Sequence, residues 1–288
     1  SSLLGARAVR IFYLAQLLHY QPVRIFGMTF AHAALPLMST EAARKDMEAF
    51  KKLLIASLHQ ILFFVLPVSV MLAVLRTPLV RIVFGAEKFD WLATVLTGQT
   101  LSLFALSIFA ECATLLFTRA FYALHDTKTP VIVSVVSIIL NIVLSILFIF
   151  RWNFPVWGLA LSASLSALLS CVLLFIFLFQ KIGGLSKRIF FIPPIKMGIA
   201  SLIAGVFLYI PMKLLDQLIF DTTRFLPLVM LTGVASVSGL SVYVFLAWFL
   251  DIEEVMTFFK ILQKVKRVPR YFFSRSDDLI HEDRASIS

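Results

Sequence analysis

Residues 130–150 read Pro-Val-Ile-Val-Ser-Val-Val-Ser-Ile-Ile-Leu-Asn-Ile-Val-Leu-Ser-Ile-Leu-Phe-Ile-Phe, with no charged side chain between Lys128 and Arg151. A hydrocarbon core about 30 Å thick is crossed by about 20 apolar residues in a helix, and this stretch has that length. Its side chains do not alternate as a barrel strand requires, and in lipid the backbone must satisfy its own hydrogen bonds. The segment therefore reads as a transmembrane helix. Working outward, six more stretches of this kind lie at 6–38, 53–75, 91–122, 156–180, 195–215 and 225–250. Breakers separate several of them: Arg76-Thr77-Pro78, Asp126 to Pro130, Asn153-Phe154-Pro155, Gly183-Gly184 and Pro193-Pro194.

Composition agrees with this reading. Of 288 residues, 60% are hydrophobic and 15% charged, with 29 Phe; an ordinary soluble domain is about 45–50% apolar and about 25% charged. Solenoids, disulfide scaffolds, nucleic-acid binders and disordered chains are excluded at this point. The expected fold is an all-α polytopic membrane bundle of about seven transmembrane helices, filling residues 1–250. Cys112 and Cys171 lie inside apolar runs and read as packing residues. No metal site is expected, because His19, His32, His59 and His125 lack zinc-ligand spacing. The chain opens on Ser1-Ser2 and enters a helical pattern at once, so residues upstream are expected.

The net charge of +10 is placed as a membrane protein places it. Arg44, Lys45, Lys51 and Lys52 fall in one connection, Lys181, Lys187, Arg188 and Lys196 in another, and seven Lys and Arg follow in the tail from Lys260 to Arg284. With seven alternating spans these share one side. The positive-inside rule makes that side cytoplasmic, together with the C-terminus. The 39–52 connection reads as a cytoplasmic surface helix capped by Ser39 or Thr40. Residues 251–288 read as a basic cytoplasmic tail, amphipathic at first and disordered from Ser274.

The informative residues are polar groups set where lipid penalises them. Gln16, His19, Tyr20, Gln21 and Arg24 surround Pro22 inside the first span. Pro22 removes a helix hydrogen bond and bends the chain, and a bent helix with a central Arg suits the wall of a transporter cavity. Two readings of Arg24 stay open: it meets an anionic substrate through its guanidinium fork, or it snorkels or pairs with Glu111. Glu111 is in turn an Arg counter-ion, a proton or cation site, or a protonated packing group. Asn141 with Ser145 one turn later supplies oxygens for a small cation or for interhelical hydrogen bonds. The small residues from Gly158 to Ser166 read as close helix packing.

Three stretches resemble the MurJ/MviN lipid II flippases, within the MATE-like exporter superfamily. Residues 13–39, Tyr-Leu-Ala-Gln-Leu-Leu-His-Tyr-Gln-Pro-Val-Arg-Ile-Phe-Gly on to Leu-Pro-Leu-Met-Ser, resemble the family's eighth helix. Residues 78–90 resemble the segment after its ninth. Arg119-Ala-Phe-Tyr-Ala-Leu-His-Asp126-Thr-Lys-Thr129-Pro130 is similar to the family's most recognisable signature. The resemblance covers residues 5–250 and implies helices eight to fourteen of fourteen: the C-terminal lobe of a MATE-like transporter plus two extra helices.

It further implies a central cationic cavity between two rocking bundles, an undecaprenyl-type lipid-linked saccharide as substrate, and a hydrophobic groove at the last two helices for the lipid tail. The N-terminal lobe, in the same chain or a separate subunit, is the implied partner, alongside membrane lipids. Two motifs depart from the pattern. An Asp-Arg pair before the Pro is replaced here by Gln16 and Leu17; of an Asn-Asp sodium pair, Asn141 matches the first member and Ser145 replaces the second.

The expected function is half of a lipid II flippase of peptidoglycan synthesis in the bacterial inner membrane: a transporter and not an enzyme. Gln16, His19, Arg24 and Glu111 are expected to bind substrate, and Asn141 and Ser145 are a candidate ion pair. Pro22, Arg119, Asp126, Thr129 and Pro130 form structural motifs. No cofactor is expected; coupling to membrane potential or a monovalent cation is open. The alternatives are a related exporter of polysaccharide-lipid or drugs, and a non-transporting scaffold or regulator of cell-wall synthesis.

Overall fold

The computed structural model describes residues 2–85, 90–184, 187–218 and 225–256, and among these only helices, turns and loops occur. The first polar stretch forms α1 (Ser2–Pro22), a π-helical segment (Val23–Met28) and α2 (Thr29–Ala43) in one unbroken run. Pro22 contributes no N–H to the ladder, and the turn that follows it widens into the π form. Gly27 lies in that segment against α6: a Cβ there would stand 2.8 Å from Cys112 Sγ. Cys112 and Cys171 are free thiols, in line with a packing role.

The connection after α2 differs from the expected surface helix at 39–52. Helix α2 continues to Ala43, Lys45 turns the chain at φ +58°, and α3 (Met47–Val74) starts at once. Asp46 makes the difference, since its carboxylate accepts the Ala49 N–H at 2.9 Å and caps α3. Helix α3 then forms the middle of the bundle, with Phe50, Leu54, Ile61 and Val65 fully buried against neighbours on α2, α6 and α9.

After the short α4 (Arg76–Phe84), the expected single span at 91–122 is two helices, α5 (Trp91–Ala105) and α6 (Ile108–Ala123), bent by 43°. The joint at Leu106 and Ser107 frees carbonyl groups that other hydroxyls take up. Ser164 donates to the Leu103 carbonyl at 2.8 Å and Ser107 to that of Phe104 at 2.9 Å. Ser164 sits on α8, so a distant helix stabilises a break that lacks Pro or Gly.

Helix α7 (Lys128–Ile146) extends through a second π segment to Arg151 and packs chiefly on α8 (Trp157–Lys181). Val131, Ile132, Val135, Ile139 and Ile146 face outward on it, as a lipid-facing helix should. Gly183 and Gly184 close α8 with positive φ. Helices α9 (Lys187–Leu218) and α10 (Phe225–Phe249) pack together closely, Gly239 giving room for Leu208. Tyr243 donates to the Phe63 carbonyl at 2.7 Å and fastens α10 to α3.

Five helices are long and apolar enough to cross a membrane, α3, α7 with its extension, α8, α9 and α10, and the bent α5–α6 pair makes a sixth. The expected seventh span at 6–38 is helical but falls short of that measure. Arg7, Arg10, His19 and Arg24 lower its apolarity, and the π segment divides it. Of the basic tail at 251–288, everything after Met256 lies outside the described residues.

Candidate functional site

Pro22 and the bend in α5–α6 are the two irregularities that build the site. Between the α1–π junction, α6, α7 and α8 lies an open cavity of about 890 Å³. Tyr20, Val23, Arg24 and Met28 line it from the first run, and Glu111, Thr114 and Leu115 from α6. Ser134, Ser137 and Asn141 come from α7, and Ser166 and Ser170 from α8.

Arg24 lies within the π segment, exposed on the cavity side. No carboxylate among the described residues lies within ion-pair distance of it. Glu111 is engaged elsewhere, with both carboxylate oxygens 3.0 Å from Nε2 of His19. Ser107 adds a donor to Glu111 at 3.2 Å. The carboxylate occupies the first turn of α6, where the helix dipole favours negative charge. His19 is 1% exposed, set against the Phe104 ring at 4.8 Å, and its Nδ1 has no partner.

The structure thus brings Arg24 and Glu111 to one cavity without joining them. Two of the expected substrate-binding residues are placed differently. His19 is packed behind Glu111, and Gln16 reaches the cavity only through Tyr20, whose hydroxyl accepts from its side-chain amide at 3.2 Å. The position of His19 follows from helix phase: Tyr20 and Arg24, one turn apart, take the cavity side, which turns His19 into the α1–α5–α6 contact, whereas Gln16 shares their face and lies one turn beyond the cavity lining.

Asn141 faces the cavity, and Ser145 donates to its Oδ1 at 3.2 Å while lying 2.7 Å from Ser162 on α8. These oxygens tie α7 to α8. Among the described residues no His, Cys, Asp and Glu group has the arrangement of a metal site. Along the chain Ser166 reads as a packing residue only, and Thr114, Ser134, Ser137 and Ser170 carry no expectation of a cavity. A spacing signal was present, since Ser134, Ser137 and Asn141 share a helix face.

The Arg119–Pro130 stretch forms a joint at the far end of α6. Asp126 accepts from the Lys128 and Thr129 N–H groups at 3.1 and 3.0 Å, from the Thr129 hydroxyl at 2.8 Å and from Lys181 at 2.5 Å. Lys181 and the capping donors hold its carboxyl well below the usual carboxylate range. Pro130 lies buried in the first turn of α7, where its missing N–H costs nothing. Arg119 meets His32 on α2 at 3.1 Å and covers the Tyr122 ring. The Lys181 contact, which joins the end of α8 to this turn, is not legible in the sequence.

The family model described as lipid II flippase MurJ matches residues 1–250. The chain belongs to this family. It is 24% identical over 255 residues to the probable lipid II flippase MurJ of Bdellovibrio bacteriovorus, covering 88% of this chain and 47% of that protein. Against the probable lipid II flippase MurJ of Buchnera aphidicola subsp. Schizaphis graminum the identity is 26% over 265 residues, covering 92% and 51%. The chain spans about half the length of the curated relatives it matches. A solved lipid II flippase MurJ in an inward closed conformation matches with a TM-score of 0.63 at 21% identity, over 82% of this chain and 47% of that one. That likeness shows the shared fold, an all-helical polytopic membrane bundle. The three MurJ-like stretches form the α1–α2 run, α4 with its C-cap, and the Asp126 joint. Lys88 and Phe89 of the second stretch lie outside the described residues.

Proposed function

We infer that this chain forms one lobe of a flippase that moves lipid II, a lipid-linked saccharide precursor of the cell wall, across the bacterial inner membrane by alternating access. Arg24 carries the reading: a guanidinium within the bundle, turned into an open cavity and without a carboxylate partner among the described residues. Charge in a membrane interior is costly and faces water, a cavity or a partner. A guanidinium fork matches phosphate oxygens in pairs. The diphosphate of the precursor sits against Arg24, and a second helical bundle supplies the facing wall. No bond is made or broken; the work is binding and reorientation.

The polyprenyl tail stays in lipid beside α9 and α10. A groove of about 700 Å³ between α3, the α5–α6 bend and α9, lined by Leu66, Val70, Phe109, Leu202 and Gly205, supports the α9 side of that path. Membrane potential is the favoured driving force, because Asn141, Ser145 and Ser162 already engage one another. The C-terminus lies in the cytoplasm. His59 meets Glu254 at 3.4 Å and Lys196 donates to the Leu250 carbonyl at 2.8 Å. These contacts gather the first half of α3, the start of α9 and the end of α10 on the side that carries Arg44, Lys45, Lys51 and Lys52, as the positive-inside rule requires.

The test is rescue of growth in cells depleted of their own lipid II flippase by the complete product of this gene. The unmutated protein is expected to restore growth and Arg24→Ala to fail at equal expression. Failure of the unmutated protein counts against flipping, and full rescue by Arg24→Ala removes Arg24 from the mechanism.

A further inference from the structure

The bend between α5 and α6 has no cause in its own stretch of chain. Residues 102–110 hold neither Pro nor Gly, and sharp kinks otherwise need a π turn or a side chain set into the hydrogen-bond ladder. Here α8 supplies that side chain. Leu106 and Ser107 donate only three residues back, to the Leu103 and Phe104 carbonyls at 3.3 and 3.0 Å. The Ser164 hydroxyl reaches Leu103 at 2.8 Å, where a continuous helix would bring the Ser107 N–H. Ser164 is 2% exposed, so water does not compete for that carbonyl.

The joint also lies close to a straight helix. Leu106 (φ −65°, ψ −23°) and Ser107 (φ −100°, ψ −10°) stay in the right-handed helical region, within about 40° of regular helix values. Straightening gives the Ser107 N–H to Leu103 and the Ile108 N–H to Phe104, so the backbone exchanges bonds and loses none. Leu106 is 56% exposed and lines the groove beside α3 and α9, which leaves that face of the joint free to move. The joint reaches the cavity floor as well. The Ser107 hydroxyl lies 2.9 Å from the Phe104 carbonyl and 3.2 Å from Glu111 Oε1, and its one proton serves one acceptor at a time. Once Ile108 takes Phe104, that proton turns to Glu111, the partner of His19 on α1.

We propose that Ser164 is a positioning residue that keeps α5–α6 bent, and that the pair straightens, releasing Ser164, in the movement that turns the cavity from one side of the membrane to the other. The hinge stands on the hydrogen bonds at the joint; its part in transport rests on the flippase reading above.

The complete gene product, with its native cysteines replaced by Ala, carries spin labels at Leu92→Cys on α5 and His125→Cys just beyond α6, both exposed positions. Double electron–electron resonance in nanodiscs reads the distance between them. Loss of the 43° bend lengthens it by about 3 Å at a rise of about 1.5 Å per residue. Without ligand, the parent protein shows mainly the short distance, and Ser164→Ala raises the ratio of long to short about fivefold, the effect of one lost hydrogen bond. Ser164→Thr, which keeps the hydroxyl, retains the parent ratio. Unchanged distances with a lower melting temperature in Ser164→Ala make the serine a packing residue and overturn the hinge. A shift in Ser164→Thr equal to that in Ser164→Ala overturns it too.

A polyprenyl diphosphate carrying a disaccharide is then added to the parent protein, with binding followed separately. Binding together with a changed ratio supports the part of the hinge in transport, and binding at an unchanged ratio overturns that part. No binding of this lipid counts against the flippase reading, while the ligand-free measurements still decide whether Ser164 holds the bend.

Discussion

Nε2 of His19 stands 3.0 Å from both carboxylate oxygens of Glu111 and joins α1 to α6 at the floor of the cavity. The consequence concerns Arg24, for a Glu111 held by His19 leaves the guanidinium to the cavity. The pair is also a structural tie, since α1 has a polar face and gains little from lipid. In a double-mutant cycle, His19→Leu and Glu111→Gln are expected to show a coupling of about 1–3 kcal/mol. Reversible unfolding in detergent measures it. A coupling near zero means that the pair does not hold α1 in place.

Arg24 and Val131 test the two sides of the bundle. Arg24 lines the cavity, while Val131 on α7 faces outward. In a protein with Cys112 and Cys171 replaced by Ala, Arg24→Cys is expected to react with a membrane-impermeant, water-soluble thiol reagent and Val131→Cys to resist it. Equal resistance at both sites would place Arg24 against lipid.

Asp126 gives the protein a defined acid response. Lys181 and the capping N–H groups lower its pKa in the folded state. Its contribution to stability is therefore complete above the unfolded value of about 3.9 and is lost as pH falls through the lower folded value. Asp126→Asn is expected to cost about 1 kcal/mol at neutral pH, as loss of a helix cap does, and progressively less below pH of about 4. Melting curves across that range decide it, and a cost that does not shrink with acid contradicts the assignment. Lys181→Met should move the acid loss of the parent protein to higher pH.

Gly27 and Cys112 mark where the π segment touches α6. A Cβ on residue 27 would meet Cys112 Sγ at 2.8 Å and its Cα and Cβ at 3.2 Å. Gly27→Ala is expected to destabilise by about 1–3 kcal/mol, the usual range for overpacking. Cys112→Ala in the same protein should recover only part of that, because the backbone contact remains. Full recovery on thermal unfolding would show that the sulfur alone sets the spacing.

The bundle class, the places of most of the apolar helices and the unusual polarity of the first run are legible along the chain, whereas the start of α9 is not, since that helix begins at Lys187 and runs through Pro193 and Pro194. The former are local properties: hydropathy over about 20 residues, breakers such as Pro155 and Gly183, and a polar cluster around a proline all act on their own stretch of chain. The cap at Asp126 was legible for the same reason, its partners being two and three residues away. Tertiary structure alone decided which charges meet. Glu111 could have answered Arg24 or His19, and helix phase at the π segment chose His19, a matter of rotation that a residue list does not encode. The break at Leu106–Ser107 depends on Ser164, and the Asp126 joint on Lys181, each supplied by α8. The cavity hydroxyls acquire meaning only when three helices come together around them. The burial of the Ser137 hydroxyl without a partner is a property of the packed bundle, and no pattern along the chain can express it.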